Sequence, residues 1–238
     1  MRFVGVATSY CTTGFAVLNS SGAGRLLSAA HCDTTGNREI RDGTGNQQIA
    51  PGGASVDIRI GGIDSMIIDP SASPGTIGKV FGGDYDQAPG TAKYEYHVGG
   101  SGGVGAAQEG DVVCLSGANS GEHCNKTITD GTYLLDCPGN TSLTCNAFVY
   151  GAPTGITVAQ GDSGGPIYVE RSDGRVGARG IQSAGRGTTE VTPSSNCPNV
   201  ADNNPQVRCF RSGIGISITR ILDYWSAHGH PGLHVEFD

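Results

Sequence analysis

Glycine interrupts this chain so often that a helix of any length has room to form in only one place. There are 40 glycines in 238 residues, and each costs a helix interior about 1 kcal/mol relative to alanine. Between them stand short runs rich in Val, Ile and Thr, residue types that suit a pleated, half-buried surface. Ser55–Ile60 (SVDIRI) alternates, with Val56, Ile58 and Ile60 on one face. Gly14–Leu18, Arg25–Ala30, Met66–Ile68 and Lys93–Val98 read as further strands of a first half. Asp111–Leu115, Tyr133–Leu135, Phe148–Tyr150, Pro166–Val169, Val176–Ser183 and Gly213–Ile218 continue the style in a second. The exception is 219–228 (TRILDYWSAH), where Ile221, Leu222 and Trp225 share a helical face and Gly229 suits the C-terminal cap. Gly99–Gly105 (GGSGGVG) separates the two sets, so we expect units at 1–104 and 105–238. The pattern is all-β.

The eight cysteines are even in number and none belongs to a CxxC pair, which argues against a finger-type zinc site. The neighbours His123 and Cys124 are too little for a metal, and we expect neither metal nor cofactor. About a hundred disulfide pairings are possible. We expect neighbours in the chain to pair: Cys11–Cys32, Cys114–Cys124, Cys137–Cys145 and Cys197–Cys209. Loops of that size stabilise by on the order of 2–3 kcal/mol each. Four disulfides imply an oxidising compartment and a secreted, extracellular protein. The opening MRFVGVATSYC has no apolar h-region, so an export signal is expected to have been removed ahead of it. A formal charge of −7 argues against nucleic-acid and anionic-membrane partners, and no apolar stretch approaches a membrane span. We expect a monomer.

Gln160–Pro166 (QGDSGGP) surrounds one acid and one hydroxyl with glycines. A tight surface turn has this composition. So does a nucleophile turn, in which glycines let backbone N–H groups approach a reacting carbonyl. The segment also satisfies G-x-S-x-G, the elbow of α/β-hydrolase esterases, which needs a strand–turn–helix and a triad in the order Ser, acid, His. Asp223 with His228, His230 or His234 would supply that order. Pro166–Val169 (PIYV) is β-rich instead, so that reading stands second.

The opposite order, His then acid then Ser, begins with Leu26–Cys32 (LLSAAHC). SAAHC together with GDSGGP resembles the chymotrypsin-like serine proteases, with Ser28 where their segment carries Thr. Cys11–Leu18 (CTTGFAVL), Val112–Cys124 (VVCLSGANSGEHC) and Ile218–Leu222 (ITRIL) look like the secreted actinobacterial branch. The resemblance implies two orthogonal, antiparallel, six-stranded β-barrels with the active site between them, a C-terminal helix, and a protein or peptide substrate. It implies a serine endopeptidase with His31 as general base and Ser163 as nucleophile. It also implies an oxyanion hole made by the N–H groups of Gly161 and Ser163. An inactive homologue serving as a binding module would have no reason to keep all of these.

For the acid, Asp64 follows Gly61–Gly62 and leads into the apolar Met66–Ile68, whereas Asp57 shares the polar face of its strand and Asp69 precedes Pro70. We expect Asp64, with Asp57 second. The resemblance implies that Asp162 turns inward onto a cation, and Leu115 and Cys114 stand where the bacterial branch commonly has an Arg. It places Thr157 at the base of the specificity pocket and Gln182, Ser183, Ala184 and Gly185 along its wall. Neutral Thr157 disfavours Arg and Lys, and Gln182, in place of a His, disfavours acids. Small Ala184 and Gly185 would leave the mouth open, and Arg186 just beyond would reach its rim. Cleavage after Leu, Met, Phe or Tyr is expected. Asp84 and Asp86, and the sequons at Asn125 and Asn140, have solvated loops as their simplest reading.

Overall fold

The second half of the chain closes on itself. In the computed structural model, which describes residues 1–4, 10–43, 45–70, 76–83, 95–100, 102–186 and 207–238, the first half contributes β1 (Ala16–Leu18), β2 (Gly24–Ser28), β3 (Val56–Gly61) and β4 (Ile63–Ile68). The second half contributes β5 (Val112–Gly117), β6 (Gly121–Asp136), β7 (Thr144–Gly151), β8 (Pro166–Glu170), β9 (Val176–Arg186) and β10 (Ser212–Ser217). The helix α1 (Ile218–Ala227) follows, then β11 (His234–Val235). Strands β5 to β10 form a closed antiparallel barrel in the order β5-β6-β7-β10-β9-β8, sealed where Cys114 and Leu115 pair with Tyr168 and Ile167. The first half differs from the expected six-stranded barrel. Among the described residues, its strands and the C-terminal β11 make an open five-stranded sheet, β11-β1-β2-β4-β3, beside a three-stranded sheet of Arg2–Phe3, Ile40–Arg41 and Gln48–Ala50 and a two-stranded one of Lys79–Phe81 and Glu95–His97. Strands of two or three residues offer too few ladder bonds to close a barrel.

The core explains how the halves are held. On β7, Phe148 and Tyr150 point into the barrel with Val113, Leu115, Ile128 and Ile167. Ala147 and Val149, on the alternate face, join a second cluster shared with Phe15, Val17, Leu27, Ile63 and Ile67 of the first half. Each such side chain contributes roughly 1.5–3 kcal/mol when fully buried. Helix α1 spans nearly the expected residues, and Gly229 follows it with φ 95° as the left-handed cap residue. Trp225 is buried, and its indole Nε1 donates to Ser65 Oγ at 3.1 Å, tying α1 to β4. No helix among the described residues is long and apolar enough to cross a membrane.

Three of the expected disulfides are present: Cys11–Cys32, Cys114–Cys124 and Cys137–Cys145. Cys209 is also disulfide-bonded. Its expected partner Cys197, together with Asp84, Asp86 and the start of Lys93–Val98, lies outside the described residues.

Candidate active site

His31 sits in the short 3-10 turn Ala30–Cys32 that ends β2, and the Cys11–Cys32 bridge anchors that turn. Asp64 lies on β4, whose six residues are all buried. The Asp64 carboxylate accepts the His31 backbone N–H at 3.0 Å on Oδ1 and meets His31 Nδ1 at 2.7 Å on Oδ2. A carboxylate can only accept, so the imidazole proton belongs on Nδ1 and the Nε2 lone pair is left free. That lone pair faces Ser163 Oγ at 2.9 Å. The structure therefore brings Asp64, His31 and Ser163 into one hydrogen-bonded line.

The turn carrying Ser163 is held by its backbone. Asp162 N–H donates to the Ala159 carbonyl, Gly164 N–H to the Gln182 carbonyl and Gly165 N–H to the Asp162 carbonyl. The Gly161 and Ser163 N–H groups alternate with these, and neither meets an acceptor among the described residues. Gly164 has φ 87°, and a side chain there would collide with Ser28 Oγ and the Thr12 carbonyl. Glycine is required at 164 for conformation and for space. The next element is the strand β8. An α/β-hydrolase elbow would have a helix there, so that alternative is overturned.

Five of the other candidate acids and histidines are engaged elsewhere. Asp57 is exposed and meets His230 Nε2 at 2.7 Å, and Asp69 pairs with Arg25. His228 and His234 bond the backbone carbonyls of Tyr224 and Gly232.

Beside the line lie the expected pocket residues. Ser183 Oγ donates to Asp64 Oδ2 at 2.5 Å. Thr157 is fully buried, and its hydroxyl donates to the Arg211 carbonyl. Gln182 is spent at both ends, accepting the Tyr150 hydroxyl on Oε1 and donating from Nε2 to the Ala184 carbonyl. Burial pushes the Tyr150 phenol well above its ordinary value, so this wall stays neutral. The mouth differs from the expectation of open space beside Gly185, because the Phe210 ring packs directly on that glycine. Arg186 is drawn aside onto the Tyr133 ring, 4.6 Å from its centroid. Beyond Ile181, β9 pairs with β10 on one side, while its pairing with β8 has already ended.

Asp162 is fully buried, and no described residue forms an ion pair with it. The cation implied for it is replaced by neutral donors. Asn119 and Ser120 N–H groups reach Oδ1, and Ser120 Oγ and Ala159 N–H reach Oδ2. Ser120 and Tyr150 left no local signature in the sequence, since their partners lie 42 and 32 positions away. Among the described residues, the cluster with metal-ligand spacing is Cys114, Cys124 and Glu170, and its cysteines are joined to each other.

Comparison with solved structures gives the same layout. A Nocardiopsis protease aligns with TM-score 0.60 at 20% identity over 95% of this chain and 92% of its own. Cellulomonas bogoriensis chymotrypsin aligns with TM-score 0.58 at 21% identity, covering 100% of this chain and 95% of its own. The chain has the chymotrypsin-like fold. A glutamic-acid-specific serine protease, described as using a histidine triad in substrate binding, shares this fold with TM-score 0.62 at 17% identity over 94% and 92% of the two chains. No family model and no curated protein matches the sequence.

Proposed function

We propose that this chymotrypsin-like chain is a secreted serine endopeptidase. The observation that carries the reading is the Asp64–His31–Ser163 line, ending beside two N–H groups that no acceptor among the described residues uses. In this reading Ser163 Oγ attacks the scissile carbonyl while His31 Nε2 takes its proton. Asp64 holds the tautomer and stabilises the imidazolium. The Gly161 and Ser163 N–H groups receive the developing oxyanion, each worth about 3–4 kcal/mol of transition-state stabilisation. His31 then returns the proton to the leaving amine, and water, activated by the same imidazole, hydrolyses the acyl-enzyme. The edge of β9 at Ser183–Gly185 that pairs with no strand among the described residues suits the addition of a substrate strand.

We assign His31 and Asp64 to a unit at 1–104, and Ser163 with the pocket to one at 105–238. Three disulfides among the described residues support an oxidising, extracellular setting. The charge of −7 supports a protein that binds neither nucleic acid nor anionic membrane, and we assign a monomer acting on protein or peptide substrates. The test is a fluorophosphonate probe followed by peptide mapping. Ser163 is expected to carry the label, and Ser163→Ala to lose both label and turnover while its unfolding midpoint holds. Labelling at another serine, or full turnover in the variant, overturns the reading.

A further inference from the structure

Asp162 stands between the two N–H groups assigned to the oxyanion, so whatever holds its side chain also orients the Gly161–Asp162–Ser163 backbone. Its four hydrogen-bond donors come from the 119–120 turn and from Ala159. Three are backbone N–H groups, and the fourth is the Ser120 hydroxyl, 2.5 Å from Oδ2. A second hydroxyl joins the same segments: Thr12 Oγ1 donates to the Gly161 carbonyl at 3.0 Å and accepts the Ala118 N–H at 2.9 Å. Gly117 packs so tightly on the Asp162 carboxyl that any side chain there would collide with it.

We propose that Ser120 is a positioning residue for the reaction, its hydroxyl latching Asp162, and through it the oxyanion donors, where a cation would otherwise serve. The inference rests on the serine-protease reading. A hydroxyl suits this place because it donates to a carboxylate and accepts from a carboxylic acid. Burial pushes the Asp162 carboxyl up to about 6, against the opposing pull of its hydrogen bonds from Ser120, Ala159 and Asn119. The titratable group that feels its charge is the Tyr150 phenol on β7. On protonation, Oδ2 becomes a donor to Ser120 Oγ and a much weaker acceptor for the Ala159 N–H, which loosens the turn. Without the Ser120 hydroxyl, the carboxyl rises further and loosening begins at higher pH.

The experiment measures kcat and KM against pH for the full chain, Ser120→Ala and Ser120→Cys, using a peptide anilide ending in Phe. Fluorophosphonate labelling and thermal unfolding run alongside. Ser120→Ala is expected to lower kcat about 10- to 100-fold at pH 8 with KM within about two-fold. It should also move the acid limb of kcat upward by roughly one unit. Ser120→Cys, near in size and a poor donor, should do the same and decides the matter if the alanine variant does not fold. An unmoved acid limb overturns the inference, whether kcat is unchanged or falls only in step with stability. A wild-type chain that the probe does not label overturns the protease reading, and this inference with it.

Discussion

Ser183 Oγ on β9 donates to Asp64 Oδ2 on β4 at 2.5 Å, across 119 positions of sequence. The acid of one half is thus anchored by a strand of the other. The same oxygen faces His31 Nδ1, so Ser183 holds the carboxylate in the orientation that the imidazole needs. Asp64→Asn should lower turnover by about 10³–10⁴-fold, because an amide nitrogen on Nδ1 inverts the tautomer. Ser183→Ala removes one hydrogen bond to a charge and should cost about 10-fold or somewhat more. Asp57→Asn, which alters only the exposed contact with His230, should leave kcat unchanged. Steady-state kinetics of the three variants checks the ranking, and a large loss in Asp57→Asn would reverse the assignment.

A second contact crosses the halves at the tip of the β6–β7 hairpin. Gly139 has φ 80°, and a Cβ there would stand 3.2 Å from His31 Cβ and 2.9 Å from Thr34 Cγ2. Gly139→Ala should therefore cost about 1 kcal/mol of stability through backbone strain. It should also lower kcat about 10-fold by displacing the imidazole. Urea unfolding and kinetics on one preparation check both numbers. Loss of stability with kcat intact would mean that the tip does not position His31.

Burial raises the Asp162 carboxyl from 3.8 to about 6. The folded chain binds this proton more tightly than the unfolded one. Its contribution to stability is complete below pH 3.8 and is lost as pH rises through 6. The window is worth about 3 kcal/mol. Between pH 4 and 7, wild type should lose about that much stability relative to Asp162→Asn, which cannot titrate. Denaturant melts at several pH values measure the difference, and parallel curves would contradict it.

The proposed pocket wall is neutral and already hydrogen-bonded. Thr157 and Gln182 are buried and bonded within the wall and carry no charge, and Arg186 is held over Tyr133. Cleavage after Leu, Met, Phe or Tyr is expected. Phe210→Ala should shift preference toward larger side chains by removing the ring packed on Gly185. A peptide-library digest reads both, and dominant cleavage after Lys, Arg, Asp or Glu would refute the assignment.

Removing the Cys137–Cys145 bridge with paired serines should cost about 2–3 kcal/mol by the loop-closure argument. The tip carrying Gly139 lies within that loop, so kcat should fall as well. Denaturant unfolding and turnover of the double variant test this together.

Local chemistry was legible in the sequence wherever the cause is local. Glycine spacing excluded long helices, and the apolar face with Gly229 marked the one that forms. QGDSGGP and SAAHC marked the turn and the His segment, and nearest-neighbour pairing matched the three described bridges. Where distant segments decide the outcome, the sequence was silent or misleading. Tyr133–Leu135 reads as a short strand, yet β6 runs from Gly121 to Asp136 with irregular register, because β7 pairs along both sides of the break. Strand β4 shows no alternation since both its faces are covered, and its length escaped the pattern. Among the described residues, the first half forms separate sheets, several of whose strands are only two or three residues long. Asp162 meets neutral donors on the 119–120 turn, and Gly185 faces Phe210, partners far apart along the chain. Sequence alone determined which residues have the chemistry to react. Only the tertiary structure decided which of them meet, because a hydrogen bond or a packed ring depends on separation in space, and chain order does not set it.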